Sequence, residues 1–479
     1  MKMTQDIILY WNEVALEANK VSHTSNKDGD MVNGPTLSSR ALAVVHLAMY
    51  DAFVGTSGSS LTSYTGTVSI AGASVNAAVS AAAHATLSCL FPAQKPFFEQ
   101  KHKKALITGT TAEINLGHSF GQDIANKILF LRKDDPNAKD NDYSSYPSHG
   151  THRPDPINVN QGYHAPFYGR RSDLFASSTR HALDSPPSPY ETDPNYQKAL
   201  KQVRGKGIAA ELMGTLPTTY SKRTVDETLI GIYWGYDGAK ELGTPPRLYN
   251  QIIREIAKEQ NNTLEENAHL FALINVAMGD AGILAWEQKY RYNYWRPVLG
   301  VREHDDSMGP VGTGKSNIDN DCDPLWLPLG APSTNEKGKP NGTPPFPAYP
   351  SGHATFGGAT FEIAKQFYAW KGKDLQPMFD TKSFVSEEFN GESFDNNGVV
   401  RPKHYRKFSN GFDQMIAENG FSRIYLGVHW SFDAFALGSD GKPDLSQNIG
   451  GVPLGVNIAN DIFNGGLGIK QSTVKGVKP

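Results

Sequence analysis

Cysteine is nearly missing from this chain of 479 residues: Cys89 and Cys322 are the only two, and they lie far apart. That excludes a disulfide framework, and neither residue has the neighbours a thiolate metal site needs, so two isolated thiols are expected. An excess of one charge is also missing. The 46 Lys and Arg against 49 Asp and Glu leave a formal charge of −3, which gives no reason to expect nucleic acid or a membrane surface as a partner. Any positive field must be local. No uninterrupted apolar run reaches the length of a membrane span. The amino-terminal run Ile7–Trp11 is short and flanked by Asp6 and Glu13, unlike a secretory leader. The expectation is a soluble protein without a cleavable signal peptide. Strand signals are few, and there is no internal repeat.

What is present is helical periodicity. The pattern predicts helices over Ser38–Phe53, Ala73–Leu90, Thr111–Leu131, Tyr196–Met213, Val225–Tyr236, Leu248–Glu259, Leu264–Trp295, Ala354–Trp370 and Lys407–Leu426. The clearest is Leu264–Trp295, where Leu270, Leu273, Ile274, Ala277, Ala281 and Leu284 make one apolar stripe. Irregular stretches rich in Pro, Gly, Ser and Asp occupy about 133–189 and 300–350. The fold class is read as all-α, helical bundles with long connecting loops. A chain of this length exceeds what one simple core supports, so two units are expected: an N-terminal helical part over 1–185 and a helical bundle over 186–479.

Three short segments carry the chemistry. Lys289 and Arg296-Pro297 stand seven residues apart, close to two helical turns, so both cations are expected on one face, with Trp286 beside them. Pro350-Ser351-Gly352-His353 precedes an apparent helix start, where Ser351 suits an N-cap and the Gly352 amide suits an anion. His353 would sit beside that anion at a pKa suited to proton transfer near neutrality. Arg423 and His429 are six apart and do not share a helical face, but Gly427 between them can break the helix. Asp433 lies four beyond His429, where it could orient the imidazole. Each segment alone has a plainer reading: a solvated basic helix end, a capped turn with a surface histidine, or a satisfied core histidine. Together they amount to a cradle for a tetrahedral oxyanion. Two like charges about 6 Å apart at an effective dielectric of about 20 cost about 3 kcal/mol, so three clustered cations call for a counter-anion.

Two other motifs fail on context. Gly309–Ser316 fits a phosphate-loop pattern, but no apolar strand precedes it and no amphipathic helix follows. Asp319-Asn320-Asp321-Cys322-Asp323 opens like a calcium loop, yet Pro324 replaces the required glycine and Gly330 the bidentate glutamate.

Taken jointly, the three segments resemble the signature that unites vanadium-dependent haloperoxidases with type 2 acid phosphatases. The pattern is a lysine, six residues and Arg-Pro; then Pro-Ser-Gly-His; then Ser-Arg, five residues, His, three residues and Asp. Every position matches. The likeness extends toward the chloroperoxidase-like members through Tyr233–Gly238, Gly243–Arg247, Tyr163–Gly169, Pro344–Tyr349, Gly450–Gly455, Ile8–Asn12 and Ser39–Leu42, and is weakest at about 60–150 and 372–400. The resemblance implies two four-helix bundles and a vanadate (vanadium(V)) cofactor bound through His429. It implies that Lys289, Arg296 and Arg423 neutralise the oxygens, while Ser351 and the Gly352 amide donate to them. His353 and Lys289 would be catalytic, Asp237 would pair with Arg423, and Trp286 and Phe346 would wall a halide pocket. Hydrogen peroxide, halide (bromide, with chloride expected as well) and an organic acceptor are the implied partners. A homo-oligomer is compatible with the sequence. Two alternatives stay open at this point: an acid phosphatase working through a phosphohistidine at His429, and a non-catalytic anion-binding protein.

Overall fold

The computed structural model describes residues 6–25, 32–190, 192–310, 312, 314, 318–469 and 475–477. Val311, Thr313, Lys315 and Ser316 of the phosphate-loop-like stretch, and Met1–Gln5, lie outside them. The longer helices are α1 (Ile7–Ser25), α2 (Gly34–Ser57), α3 (Val75–Leu90), α4 (Lys95–Lys104), α5 (Thr111–Leu131), α6 (Pro194–Lys206), α7 (Val225–Tyr233), α8 (Pro245–Glu259), α9 (Leu264–Tyr292), α10 (Gly352–Trp370), α11 (Gly411–Tyr425) and α12 (Gly451–Gly465). One short antiparallel pair, Ala436–Leu437 with Pro443–Asp444, is the only sheet among the described residues. The all-α expectation holds.

Local chemistry sets the helix starts. Thr110 with Glu113, Thr224 with Glu227, and Thr263 with Glu266 each form a reciprocal capping box at α5, α7 and α9. The ends differ from the periodicity. Helix α9 stops at Tyr292 rather than at Trp295, because Asn293 takes a left-handed conformation (φ 46°) and donates back to the Lys289 carbonyl. The stretch read as Tyr196–Met213 ends at Lys206 and continues as a separate 3₁₀ turn. Helices α1, α4 and α12 went unread. For α12 the reason is its glycine-rich, proline-bearing start. A proline in the first turn costs no hydrogen bond. Gly451 admits backbone that a side chain would exclude: a Cβ there would stand 2.4 Å from the Ser351 carbonyl oxygen.

The buried apolar side chains form one continuous cluster from Ile7 to Leu467. Helix α9 lies at its centre, packed on α2 and on α10; α3 pairs with α5, and α10 with α12. Contrary to the expectation from run length, α2 and α9 are long and apolar enough by length and composition to cross a bilayer, but 94% of the most apolar 18-residue window of each is buried inside the fold. Scattered Ser, His, Arg and Asp interrupt their apolar runs, which is why counting uninterrupted residues missed them. The long irregular region is pinned to the core. Asp280, wholly buried in α9, accepts the backbone amides of Phe175 (2.5 Å), Ala176 (3.0 Å) and Ser177 (2.8 Å).

Candidate active site

The three sequence segments meet where the C-terminal end of α9, the N-terminus of α10 and the turn after α11 converge. Lys289 is on the last turn of α9 and fully buried, its ammonium donating to the carbonyls of Pro347 and Ala348 at 2.9 Å each. It also stands over the Phe346 ring, 5.1 Å from the centroid, and 5.6 Å from that of Trp286. Burial first, then Arg296, holds its pKa well below the usual lysine range.

Arg296 is not on α9. It follows the left-handed Asn293 and caps the short helix Pro297–Gly300. The two cations therefore converge through a turn and not by helical register, which corrects the two-turn reading. Arg296 donates to the carbonyls of Phe346 (2.9 Å) and Val428 (2.8 Å) and from Nη1 to His429 Nε2 (2.9 Å). Burial lowers its pKa to about 9.

Gly427 supplies the break between Arg423 and His429. It ends α11 with φ 72°, and a Cβ there would lie 2.3 Å from the Gly207 carbonyl oxygen. The amides of Val428 and His429 then both donate back to the Arg423 carbonyl, bringing the two side chains to one site. His429 Nδ1 faces Asp433 Oδ2 at 2.8 Å, and that oxygen also accepts from the Trp430 amide at 2.9 Å. A carboxylate accepts and a guanidinium donates, so Nδ1 carries the proton and the Nε2 lone pair faces the cations. Burial raises the Asp433 carboxyl to about 7 and holds His429 well below the ordinary histidine value.

Ser351 caps α10, its hydroxyl accepting from the Ala354 amide at 3.4 Å while its own amide donates to the Asp433 carbonyl at 2.7 Å. A hydroxyl that accepts at a cap keeps its proton to donate. The Gly352 amide is the first of the donors a helix start leaves without an intrahelical acceptor. His353 Nε2 donates to the Gly235 carbonyl at 2.7 Å, and Asp237 Oδ1 lies 3.8 Å away. Burial and Arg423 lower its pKa to about 3. Titration near neutrality therefore does not describe this site, where burial first and then the Arg423 charge disfavour the imidazolium. Asp237 holds Arg423 through two parallel bonds, Nη2–Oδ1 at 2.6 Å and Nη1–Oδ2 at 3.1 Å.

A cavity of about 570 Å³ opens onto this cluster. Asp237, Trp286, Phe346, Gly352, His353, Arg423 and His429 are among the residues that line it, and Lys289, Arg296, Ser351 and Asp433 are not. Trp286 and Phe346 pack at 4.7 Å between ring centroids. His164 faces the same pair at 6.0 and 6.1 Å and bonds Thr36 Oγ1 at 3.0 Å. Sequence reasoning did not mark it as a site residue. Its one signal was that it sits inside the family-like stretch Tyr163–Gly169. Two donors of the cluster, Arg296 Nη2 and Arg423 Nε, are buried and have no protein acceptor. The described residues contain no group of three or more His, Cys, Asp or Glu placed to hold a metal ion. The donor set thus suits an oxyanion held by cations and by one imidazole, and not a carboxylate-ligated cation.

Residues 2–173 match a family model described as the vanadium chloroperoxidase N-terminal domain. Residues 269–442 match one described as its second helical-bundle domain. The chain is 34% identical to the vanadium chloroperoxidase of Curvularia inaequalis, over 96% of this chain and 90% of that protein. Among solved structures, a bacterial vanadium-dependent iodoperoxidase superposes with a TM-score of 0.61 at 20% identity, covering 94% of this chain and 96% of the other. A holo-type bacterial vanadium-dependent chloroperoxidase gives 0.57 at 14% identity, covering 91% and 94%. These two share the fold.

Proposed function

This chain belongs to the vanadium chloroperoxidase family, and from that premise we propose how its residues run a haloperoxidase reaction. The overall chemistry takes hydrogen peroxide, a halide and a proton to a hypohalous acid and water, and the hypohalous acid then halogenates an organic acceptor. Bromide and chloride are the proposed halides.

The observation that carries the reading is the buried cation cluster around His429, with two guanidinium donors that have no protein acceptor. Vanadate fits it: His429 Nε2 would bind the metal, Lys289, Arg296 and Arg423 would balance the oxygens, and Ser351 and the Gly352 amide would donate to them. When bound, vanadate supplies a Lewis-acidic vanadium(V) centre that activates peroxide without changing oxidation state.

The remaining work falls to the protein. Asp433 fixes His429 in the tautomer that leaves Nε2 unprotonated, and Asp237 fixes the plane of Arg423. His353 has Nε2 committed to the Gly235 carbonyl, so Nδ1 is the atom that takes and returns the peroxide proton. Burial is the larger cause of the low His353 pKa, and an anion in the cradle would offset the second cause, the Arg423 charge, and so raise it. The Lys289 ammonium would draw charge from an oxygen held in the cradle. Trp286 and Phe346 wall one side of the cavity, where a halide would be partly dehydrated and so more reactive toward the peroxide oxygen.

The test uses protein freed of oxyanion, with and without orthovanadate. Halogenation of a β-diketone is followed with peroxide and bromide, then chloride, beside hydrolysis of an aryl phosphate. Halide oxidation that requires vanadate and vanishes in His429→Ala and Lys289→Ala is expected. Phosphate-ester turnover without vanadate, and no halide oxidation with it, would assign the cradle to phosphoryl transfer through His429 instead. Bromide oxidation without chloride oxidation at acidic pH would remove chloride from the proposal.

A further inference from the structure

One buried carboxylate next to the site has no part in that chemistry. Glu388 is fully buried beneath the segment Gly235–Asp237. Its Oε2 accepts from the Thr334 hydroxyl (2.5 Å) and from Arg401 Nη1 (2.8 Å), while Oε1 accepts from the Tyr236 backbone amide (3.2 Å). Its neighbours hold the same stretch: the Ser386 hydroxyl donates to the Tyr233 carbonyl (2.7 Å), and the Glu387 amide donates to the Tyr236 hydroxyl (3.1 Å). Three consecutive residues thus grip 233–236 from one side. Gly235 lets the carboxylate in, since a Cβ there would meet Glu388 Oε1 at 2.6 Å.

The gripped segment needs holding. Tyr236 has φ 50°, a left-handed conformation that a residue with a bulky side chain keeps only when its surroundings over-determine it. The peptide units on either side of Tyr236 carry the site. The Gly235 carbonyl accepts from His353 Nε2, and the Asp237 carboxylate clamps Arg423. A turn of this backbone would misdirect both at once. Stability alone explains the Glu388–Arg401 pair poorly. Its side chains are 0% and 11% exposed, and a buried ion pair contributes little over apolar packing of the same volume.

We infer that Glu388 is a positioning residue for the oxyanion site: through the Tyr236 amide it fixes the Gly235–Asp237 backbone, and with it the His353 tautomer and the Arg423 plane. This rests on the oxyanion reading of the cradle given above.

The test measures binding of inorganic phosphate and of orthovanadate to oxyanion-free protein by titration calorimetry, alongside thermal unfolding. Glu388→Ala is expected to weaken binding of both anions on the order of tenfold. Glu388→Gln, which keeps an acceptor for the Tyr236 amide, is expected to recover most of that loss even where its melting temperature stays low. If Glu388→Ala does not fold, Thr334→Val loosens the same carboxylate from its far side and is expected to show a smaller loss of the same kind. A folded Glu388→Ala, or Thr334→Val in its place, that melts earlier but binds both anions with parental affinity overturns the positioning role. So does a Glu388→Gln no better than Ala. Should the parent protein bind neither anion, the reading of the cradle itself falls, and the positioning role falls with it.

Discussion

Replacing Asp237 with alanine isolates the charge balance on which the cradle depends. In the parent, Arg423 and Asp237 are joined by two bonds with side chains 1% and 9% exposed. Unit charges about 4 Å apart at an effective dielectric of about 20 attract by about 4 kcal/mol, and removing one partner of a buried pair costs about 3–5 kcal/mol. Both residues line the cavity, so water can enter beside the stranded guanidinium, and the lower end, about 3 kcal/mol, is the expected loss for oxyanion-free protein. Unfolding entropy of about 2.1 cal/mol/K per residue gives about 1 kcal/mol/K for a chain of 479 residues, so this loss lowers the melting temperature by about 3 °C. Scanning calorimetry of the oxyanion-free variant reads the shift. Vanadate-dependent bromide oxidation should fall by about 10–100-fold, because the guanidinium loses its fixed plane. Asp237→Asn keeps an acceptor without the charge and should lie between. A variant that melts within about 1 °C of the parent and keeps half its turnover would mean that Arg423 needs no counter-charge from Asp237, and the electrostatic argument would be wrong.

Other perturbations follow from the same structure. Phe346→Ala opens the wall over Lys289 and Arg296; chloride oxidation should fall more than bromide oxidation, since chloride is the more strongly hydrated, and equal losses would show that the wall does not act on halide hydration. Asp280→Ala strands three amide donors of the irregular region and should destabilise the fold by about 3 kcal/mol, with faster proteolysis near Phe175, read by denaturant unfolding and limited digestion. Burial lowers the pKa of His46 from 6.5 to about 4, so the unfolded chain takes up its proton first as the medium is acidified. Its contribution to stability is intact above about 6.5 and lost as pH falls toward 4, by about 3 kcal/mol in total. Stability measured at pH 7.5 and 4.5 should differ less in His46→Gln than in the parent.

The sequence carried the site further than it carried the geometry. Lys289, Arg296, Ser351, His353, Arg423, His429 and Asp433 were all legible because their spacing is a pattern of residue types, and the structure brings them together. How they converge was not legible. Asn293 and Gly427 reverse the chain through left-handed conformations, and only Gly427 had been marked as a break. His164 and Glu388 arrive from irregular stretches, where no periodicity shows which way a side chain faces. The all-α class was plain from the 3.6-residue period, yet α12 was hidden by the glycines that let it approach α10, and α1 and α4 went unread. The pKa of His353 depends on burial in the finished fold and then on cations from two other segments, which no local sequence contains.

The clamp on Arg423 spans 186 positions, the bond between His353 and Gly235 spans 118, and that between Lys289 and Pro347 spans 58. The groups proposed to touch the anion run from Lys289 to His429, and those that orient them reach back to Gly235 and Asp237. Contacts of such long range form after the chain ends between them have been closed, which makes them late events in folding. An anion that needs these long-range contacts in place is expected to bind the finished protein and not to template its assembly. Orthovanadate added during refolding should leave the folding rate unchanged and slow only the unfolding limb.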